Sequence, residues 1–245
     1  MQLLNIDQNA KTVKGQKKGY MTAVMYLAPA KVSGFQVCPM SSAGCRAACL
    51  NTAGRGAFST IQNSRINKTR MFFEERPAFM LKLEKEIESF IRKAQRKKLI
   101  PVVRLNGTSD IVWEKISFVG EDGQRYRNMM ERFSHITFYD YTKRHNRKTL
   151  PSNYSLTYSL AEDNDDRANK AIKNGMNVAV VFRTPNFPSR FNLIKRGKKY
   201  DVIDGDETDL RFLDPRKVIV ALKAKGKARR DTSGFVRETR HLKVL

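Results

Sequence analysis

The chain has 245 residues, 40% of them hydrophobic and 29% charged, and its 47 Lys and Arg against 24 Asp and Glu give a net charge of +23. These proportions suit one large folded domain or two small ones and exclude a disordered tail. No run of 18 apolar residues is present, and residues 1–9 lack the charged start and apolar stretch of a signal peptide, so the expectation is a cytoplasmic protein with no membrane partner.

In chain order, residues 23–28 (Ala-Val-Met-Tyr-Leu-Ala) predict a first strand, followed by a loop that carries every cysteine. Residues 60–75 read as helix. A second helix starts near Pro77, whose missing N–H is harmless in a first turn. Its apolar positions Met80, Leu83, Ile87, Phe90, Ile91 and Ala94 follow a helical period, and its last turn is basic. Residues 99–105 predict a buried strand, and helical segments are expected near 111–118 and 125–133. Strands follow at 136–139 and 154–159. A helix at 165–173 is stopped by Asn174-Gly175, and strands at 177–182, 202–203 and 218–222 complete the set.

This alternation predicts a single α/β domain over residues 1–245, with parallel strands alternating with helices in a partial or distorted (β/α) barrel. Strand after strand ends in a polar cluster: Asn106-Gly-Thr-Ser-Asp110, Asp140-Tyr-Thr-Lys143, Ser159-Leu-Ala-Glu-Asp-Asn164 and, less regularly, Asp204-Gly-Asp-Glu-Thr-Asp209. Ligands in parallel α/β folds bind at the carboxyl ends of strands, so a shared site is expected there. Helix capping and ordinary loop chemistry are the plainer account of the same clusters.

The three cysteines, Cys38, Cys45 and Cys49, fall within twelve residues of a loop at 37–56 rich in Gly and Ser. Cysteine more often scatters through cores, so this clustering points to a bound group. An iron–sulfur cluster held by three thiolates leaves one iron open to a small molecule. Structural zinc wants a fourth ligand, such as His145 or an Asp. A redox thiol pair lacks its usual C-x-x-C, and unliganded structural cysteines complete the alternatives.

The cysteine loop followed by Asn63-Ser-Arg-Ile-Asn67, then RLNGTSD, FYDYTK, IDGDETDLRFLDP and LKAKGKAR, resembles the bacteriophage gene-product-88 proteins over residues 31–235. More distantly, the chain resembles radical S-adenosylmethionine enzymes and related three-cysteine-motif phage proteins. Those place a cluster in the loop after the first strand of a partial (β/α) barrel. The loop position agrees, whereas the spacing of six and three residues departs from their C-x3-C-x2-C. Leu50 follows Cys49 where an aromatic is usual, and Asn106-Gly-Thr-Ser-Asp110 replaces a glycine-rich string.

The resemblance implies that Cys38, Cys45 and Cys49 hold a [4Fe–4S] cluster whose open iron takes the amino and carboxylate groups of S-adenosylmethionine or a similar ligand. It implies that Asn106, Ser109, Asp110, Lys143, Ser159 and Glu162 line the cavity above it. It assigns no catalytic residue and leaves enzymatic activity open. The other expected functions are a basic nucleic-acid-binding protein with a structural zinc or cluster, and a regulator acting through a host protein in the host cytoplasm.

The positive surplus recurs in every fifty-residue block, which favours nucleic acid or another polyanion as partner. The segment 223–230 is basic and glycine-punctuated, and suits either a phosphate backbone or a solvated surface. Asp201, Asp204, Asp206, Glu207, Asp209 and Asp214 crowd one stretch that suits a divalent cation or simple ion pairing. His135, His145 and His241 share no ligand spacing.

Overall fold

The computed structural model describes residues 1–6, 10–147 and 149–238. In chain order the elements begin with β1 (Leu4–Ile6), α1 (Ala10–Gln16), β2 (Tyr20–Met25), α2 (Ala43–Ala47), α3 (Ser59–Glu74) and α4 (Arg76–Arg96). Next come β3 (Ile100–Arg104), β4 (Phe118–Val119), β5 (Arg125–Tyr126), α5 (Met129–Arg132), β6 (Thr137–Thr142) and β7 (Tyr154–Ser159). The chain ends with α6 (Asp165–Lys173), β8 (Asn177–Phe182), β9 (Arg190–Asn192), β10 (Lys199–Asp204), β11 (Ile219–Lys223) and β12 (Val236–Arg237). The fold is mixed α/β with mostly parallel strands, as the alternation predicts.

The chain forms two compact units: the described parts of 1–39, 58–140 and 148–155, and those of 40–57, 141–147 and 156–245. In the first unit β2 pairs in parallel with β3 and β3 with β6, while β1 adds to β2 antiparallel. The α4 helix forms because its apolar residues recur on one face, and Phe79, Met80, Leu83, Ile87, Phe90 and Ala94 are buried. Its Pro77 sits in the first turn, and Lys93 and Arg96 complement the negative end. The Phe72 ring lies 5.2 Å from Trp113 and 5.3 Å from Phe79, tying α3 to the same core.

The segments expected to be helical near 111–118 and 125–133 fold differently. A 3-10 turn at Trp113–Lys115 leads into the antiparallel hairpin β4–β5, and only Met129–Arg132 is α-helical. Turn chemistry overrides the apolar pattern. Gly120 N–H donates to the Gln124 carbonyl, and Gly123 takes φ +77°, a backbone geometry glycine adopts without strain.

In the second unit β7 pairs with β8, β8 with β11 and β11 with β10, all parallel, and β9 closes on β10 antiparallel. The core lies between this sheet and α6, with Tyr158, Leu160, Ile172, Val178, Val180, Phe182, Ile219 and Ala221 buried together. Partners change along β8. Residues 177–179 pair with β7, whereas Val181 and Phe182 pair with Val236 and Arg237 of β12. The last described strand therefore takes over where β7 leaves off, beside the chain that follows Ser159.

Candidate functional site

The six predicted lining residues divide equally between the two units, each set beside cysteine. In the first unit, the loop after β3 is stitched to the chain leaving β2. Gly107 N–H donates to the Met25 carbonyl at 2.9 Å, and Thr108 Oγ donates to the Leu27 carbonyl at 2.5 Å. A Cβ at Gly107 would lie 2.6 Å from both Met25 O and the Tyr26 ring, so only glycine fits this crossing.

Asn106 organises that loop. Its Oδ1 accepts from Ser109 Oγ (2.8 Å), Ile111 N–H (3.0 Å) and Trp113 Nε1 (3.1 Å). Its own N–H donates to Asp140 Oδ1 at 2.7 Å. Asp140 also accepts from the Tyr154 hydroxyl at 2.9 Å, so one buried carboxylate joins the ends of three strands' worth of chain. Asp110 is buried, and its N–H donates to the Val37 carbonyl at 2.8 Å. Next in the chain, Cys38 directs its thiol to the Thr108 carbonyl at 3.5 Å.

The second unit builds a tighter arrangement around Cys45. Ser42 caps α2 by accepting from Cys45 N–H at 3.1 Å, and its hydroxyl donates to Glu162 Oε2 at 2.6 Å. Gly44 N–H donates to Glu162 Oε1 at 2.6 Å, so one carboxylate grips the first turn of α2 through two donors. A Cβ on Gly44 would strike Ser233 Oγ and come within 2.8 Å of the Glu162 carboxyl carbon.

Lys143, buried at the end of β6, donates to Ser159 Oγ (2.9 Å), Ser159 O (3.2 Å) and Leu160 O (3.3 Å), and lies 5.4 Å from the Phe235 ring centroid. It also hydrogen-bonds the Cys45 side chain. Burial pushes the Cys45 thiol above its ordinary pKa; Lys143 opposes that and Glu162 reinforces it. For Glu162, burial acts upward, but the bonds from Ser42 and Gly44 and the charge of Lys143 prevail and hold its pKa below normal.

Cys49 caps the 3-10 turn Leu50–Thr52, accepting at its sulfur from Asn51 N–H at 3.5 Å. Beside it Ala48 is buried with Ala224, Ala228 and Val236. Lys143 and Glu162 thus stand beside Cys45, with Ser159 bonded to Lys143, where strands end at their carboxyl sides. Ser42, Gly44, Ser233 and Phe235 carry no signal of their own in the sequence, apart from the capping position of Ser42 three residues before Cys45.

The donor chemistry of three half-buried cysteine thiols suits iron–sulfur ligation. Their placement is less complete: among the described residues, no three His, Cys, Asp or Glu side chains stand close enough together to hold a metal ion. The acidic stretch is engaged in ion pairs. Asp206 meets Lys225 at 3.0 Å, Asp214 meets Arg211 at 3.3 Å and Asp201 meets Arg190 at 3.2 Å. His135 is exposed, His145 half-buried, and His241 lies outside the described residues.

Among the described residues no helix is long and apolar enough to cross a membrane. No curated protein and no solved structure matches the chain. The family model described as gene product 88 matches residues 2–239, nearly the whole chain, and the chain therefore belongs to the gene product 88 family, the phage family its unusual strings resemble.

Proposed function

We propose that this phage protein is a cytoplasmic iron–sulfur protein in which Cys38, Cys45 and Cys49 hold a [4Fe–4S] cluster and a small zwitterionic ligand, such as S-adenosylmethionine, binds beside it. The observation that carries this reading is the grouping of Cys45 with Lys143 and Glu162 at strand carboxyl ends. A buried cation and a carboxylate side by side match the opposite charges of an α-amino acid. Ser159, which accepts from Lys143, supplies a further polar group for such a ligand. A cluster would add an open iron for the ligand's amino and carboxylate groups; the protein's residues would bind and orient it.

The strand order supports a partial (β/α) barrel form for this fold. In the first unit β2, β3 and β6 lie side by side in chain order, as β7 and β8 do in the second, whereas β11 lies between β8 and β10 and departs from that order. Sequential neighbours of this kind are the barrel's order, whereas doubly wound sheets reverse direction partway.

The test is anaerobic purification with iron and sulfide analysis and an absorption spectrum, on wild type and Cys45→Ala. A broad band near roughly 400 nm that disappears in the variant and shifts when S-adenosylmethionine is added is the expected result. Zinc, or no metal, would sink the cluster reading. The net charge of +23 favours a second reading, a nucleic-acid-binding protein whose metal only organises the loop. A host protein that co-purifies while both ligand and nucleic acid fail to bind would displace both readings.

A further inference from the structure

The cysteine segment of the second unit is seated against the basic run that follows β11. Ala48 packs with Ala224 and Ala228, and Gly226, at φ +55°, comes so close that a Cβ would lie 2.9 Å from Ala53 Cβ. Small residues on both sides let the 3-10 turn at Leu50–Thr52, which leads into Gly54–Ala57, approach the one at Gly226–Arg230. The two segments, 40–57 and 223–230, contain Arg46, Arg55, Lys223, Lys225, Lys227, Arg229 and Arg230 and no acidic residue.

Lys225 is neutralised by Asp206, whose carboxylate also takes the Lys223 N–H, and Arg46 is turned to the Ser41 carbonyl. Arg55, Lys227, Arg229 and Arg230 are exposed, and among the described residues none has an acidic partner. The nearest acid in sequence, Asp231, is buried and accepts from Ser233 Oγ and Val236 N–H. Four uncompensated cations thus stand on one lip, adjoining the turn that Cys49 caps.

We infer that this lip binds the sugar-phosphate backbone of a polynucleotide and brings a nucleotide to the Cys45–Lys143–Glu162 group. The inference rests on the second reading above, not on the cluster, and names the surface responsible. Three of the four cations are arginine, whose planar fork meets phosphate oxygens in pairs. Leu50 is the one strongly exposed large apolar side chain on the two segments, too little for a membrane-inserting face. The alanines and glycines set the cations on backbone that cannot retreat, so an evenly charged strand that can bend to meet them fits better than a folded acidic protein.

The experiment compares the triple variant Lys227→Glu/Arg229→Glu/Arg230→Glu with a control, Lys17→Glu/Arg92→Glu/Arg96→Glu, which changes three exposed cations of the first unit and lowers the net charge equally. The probe is a short fluorescein-labelled single DNA strand, titrated by anisotropy at several salt concentrations, with circular dichroism on each variant. Each lost phosphate contact lowers the salt slope by about 0.7, so the lip variant should lose about two units of slope and at least about tenfold in affinity while the control stays near wild type. Equal losses in both variants would reduce the effect to overall charge and overturn the lip. Polyglutamate competing as well as DNA at equal charge would also overturn it. A wild type that binds no DNA would remove the nucleic-acid reading itself, whereas salt-dependent binding that the lip variant keeps would spare that reading and remove only this surface.

Discussion

Replacing Glu162 with alanine tests the central arrangement most directly. The carboxylate receives two 2.6 Å hydrogen bonds, from Ser42 Oγ and Gly44 N–H, and Ser42 in turn caps Cys45 N–H. Hydrogen bonds to a charged group contribute about 1.5–3 kcal/mol each; Glu162 is only partly buried, so the two together are taken near the lower end, about 3 kcal/mol. Each 1.4 kcal/mol is a factor of ten, so Glu162→Ala should raise local opening of residues 42–49 by about 100-fold.

Hydrogen exchange of a peptide covering 42–49, with β8 as internal reference, reads this opening, and the rate of Cys45 alkylation reads it independently. The pKa of Glu162 is held low, so its contribution is present above the unfolded value and lost as pH falls through the folded one. Wild type should therefore approach the variant's exchange in acid, below the ordinary glutamate range. Unchanged protection and alkylation in Glu162→Ala at neutral pH would refute the idea that this carboxylate anchors the cysteine turn.

Arg132→Met should destabilise the protein by about 3–5 kcal/mol in urea denaturation, because Glu84 is fully buried and Arg132 Nε meets its Oε1 at 2.5 Å; adding Glu84→Gln should recover part of the loss. Gly44→Ala should cost about 1–3 kcal/mol through its clash with Ser233 and Glu162, measured as a lowered thermal midpoint. Lys68 is buried in α3, donating to the Leu3 carbonyl at 3.0 Å, and burial lowers its pKa to about 8. The unfolded chain then holds the proton more tightly, so stability should rise between about pH 8 and 10 relative to Lys68→Met, in which that increment is absent.

The parts most legible in the sequence are those where one face or one run is continuously apolar. Tyr154–Ser159, Asp165–Lys173 and Asn177–Phe182 stand where periodicity puts them, and Pro77 marks the start of α4. Strands of two or three residues, β1, β9 and β12, are too short for any period, and α1 carries no strong amphipathic stripe. The hairpin β4–β5 hides behind an apolar pattern that its glycine turn overrules. Lys143, Ser159 and Glu162 are legible because parallel strands end together. Asn106 is legible as a position but not as a loop organiser, since its partners Trp113 and Asp140 come from separate segments. Ser233 reaches Gly44, and Phe235 reaches Lys143, beside the pairing of β12 with β8, a long-range contact without local signal.

The seat of Ala48 is made of Ala224, Ala228 and Val236, all near the far end of the chain. During synthesis at about 5–20 residues per second, Cys45 and Cys49 leave the ribosome roughly 10–35 s before that seat exists. For that interval Cys49 rides on a turn whose seat is missing, while Cys45 waits only for Lys143 and Glu162, which follow sooner in the chain. Translation rate, reductant and iron supply act on them then without the protection of the fold, so slowing synthesis of the last third of the message is expected to change how much of the purified protein carries intact thiols.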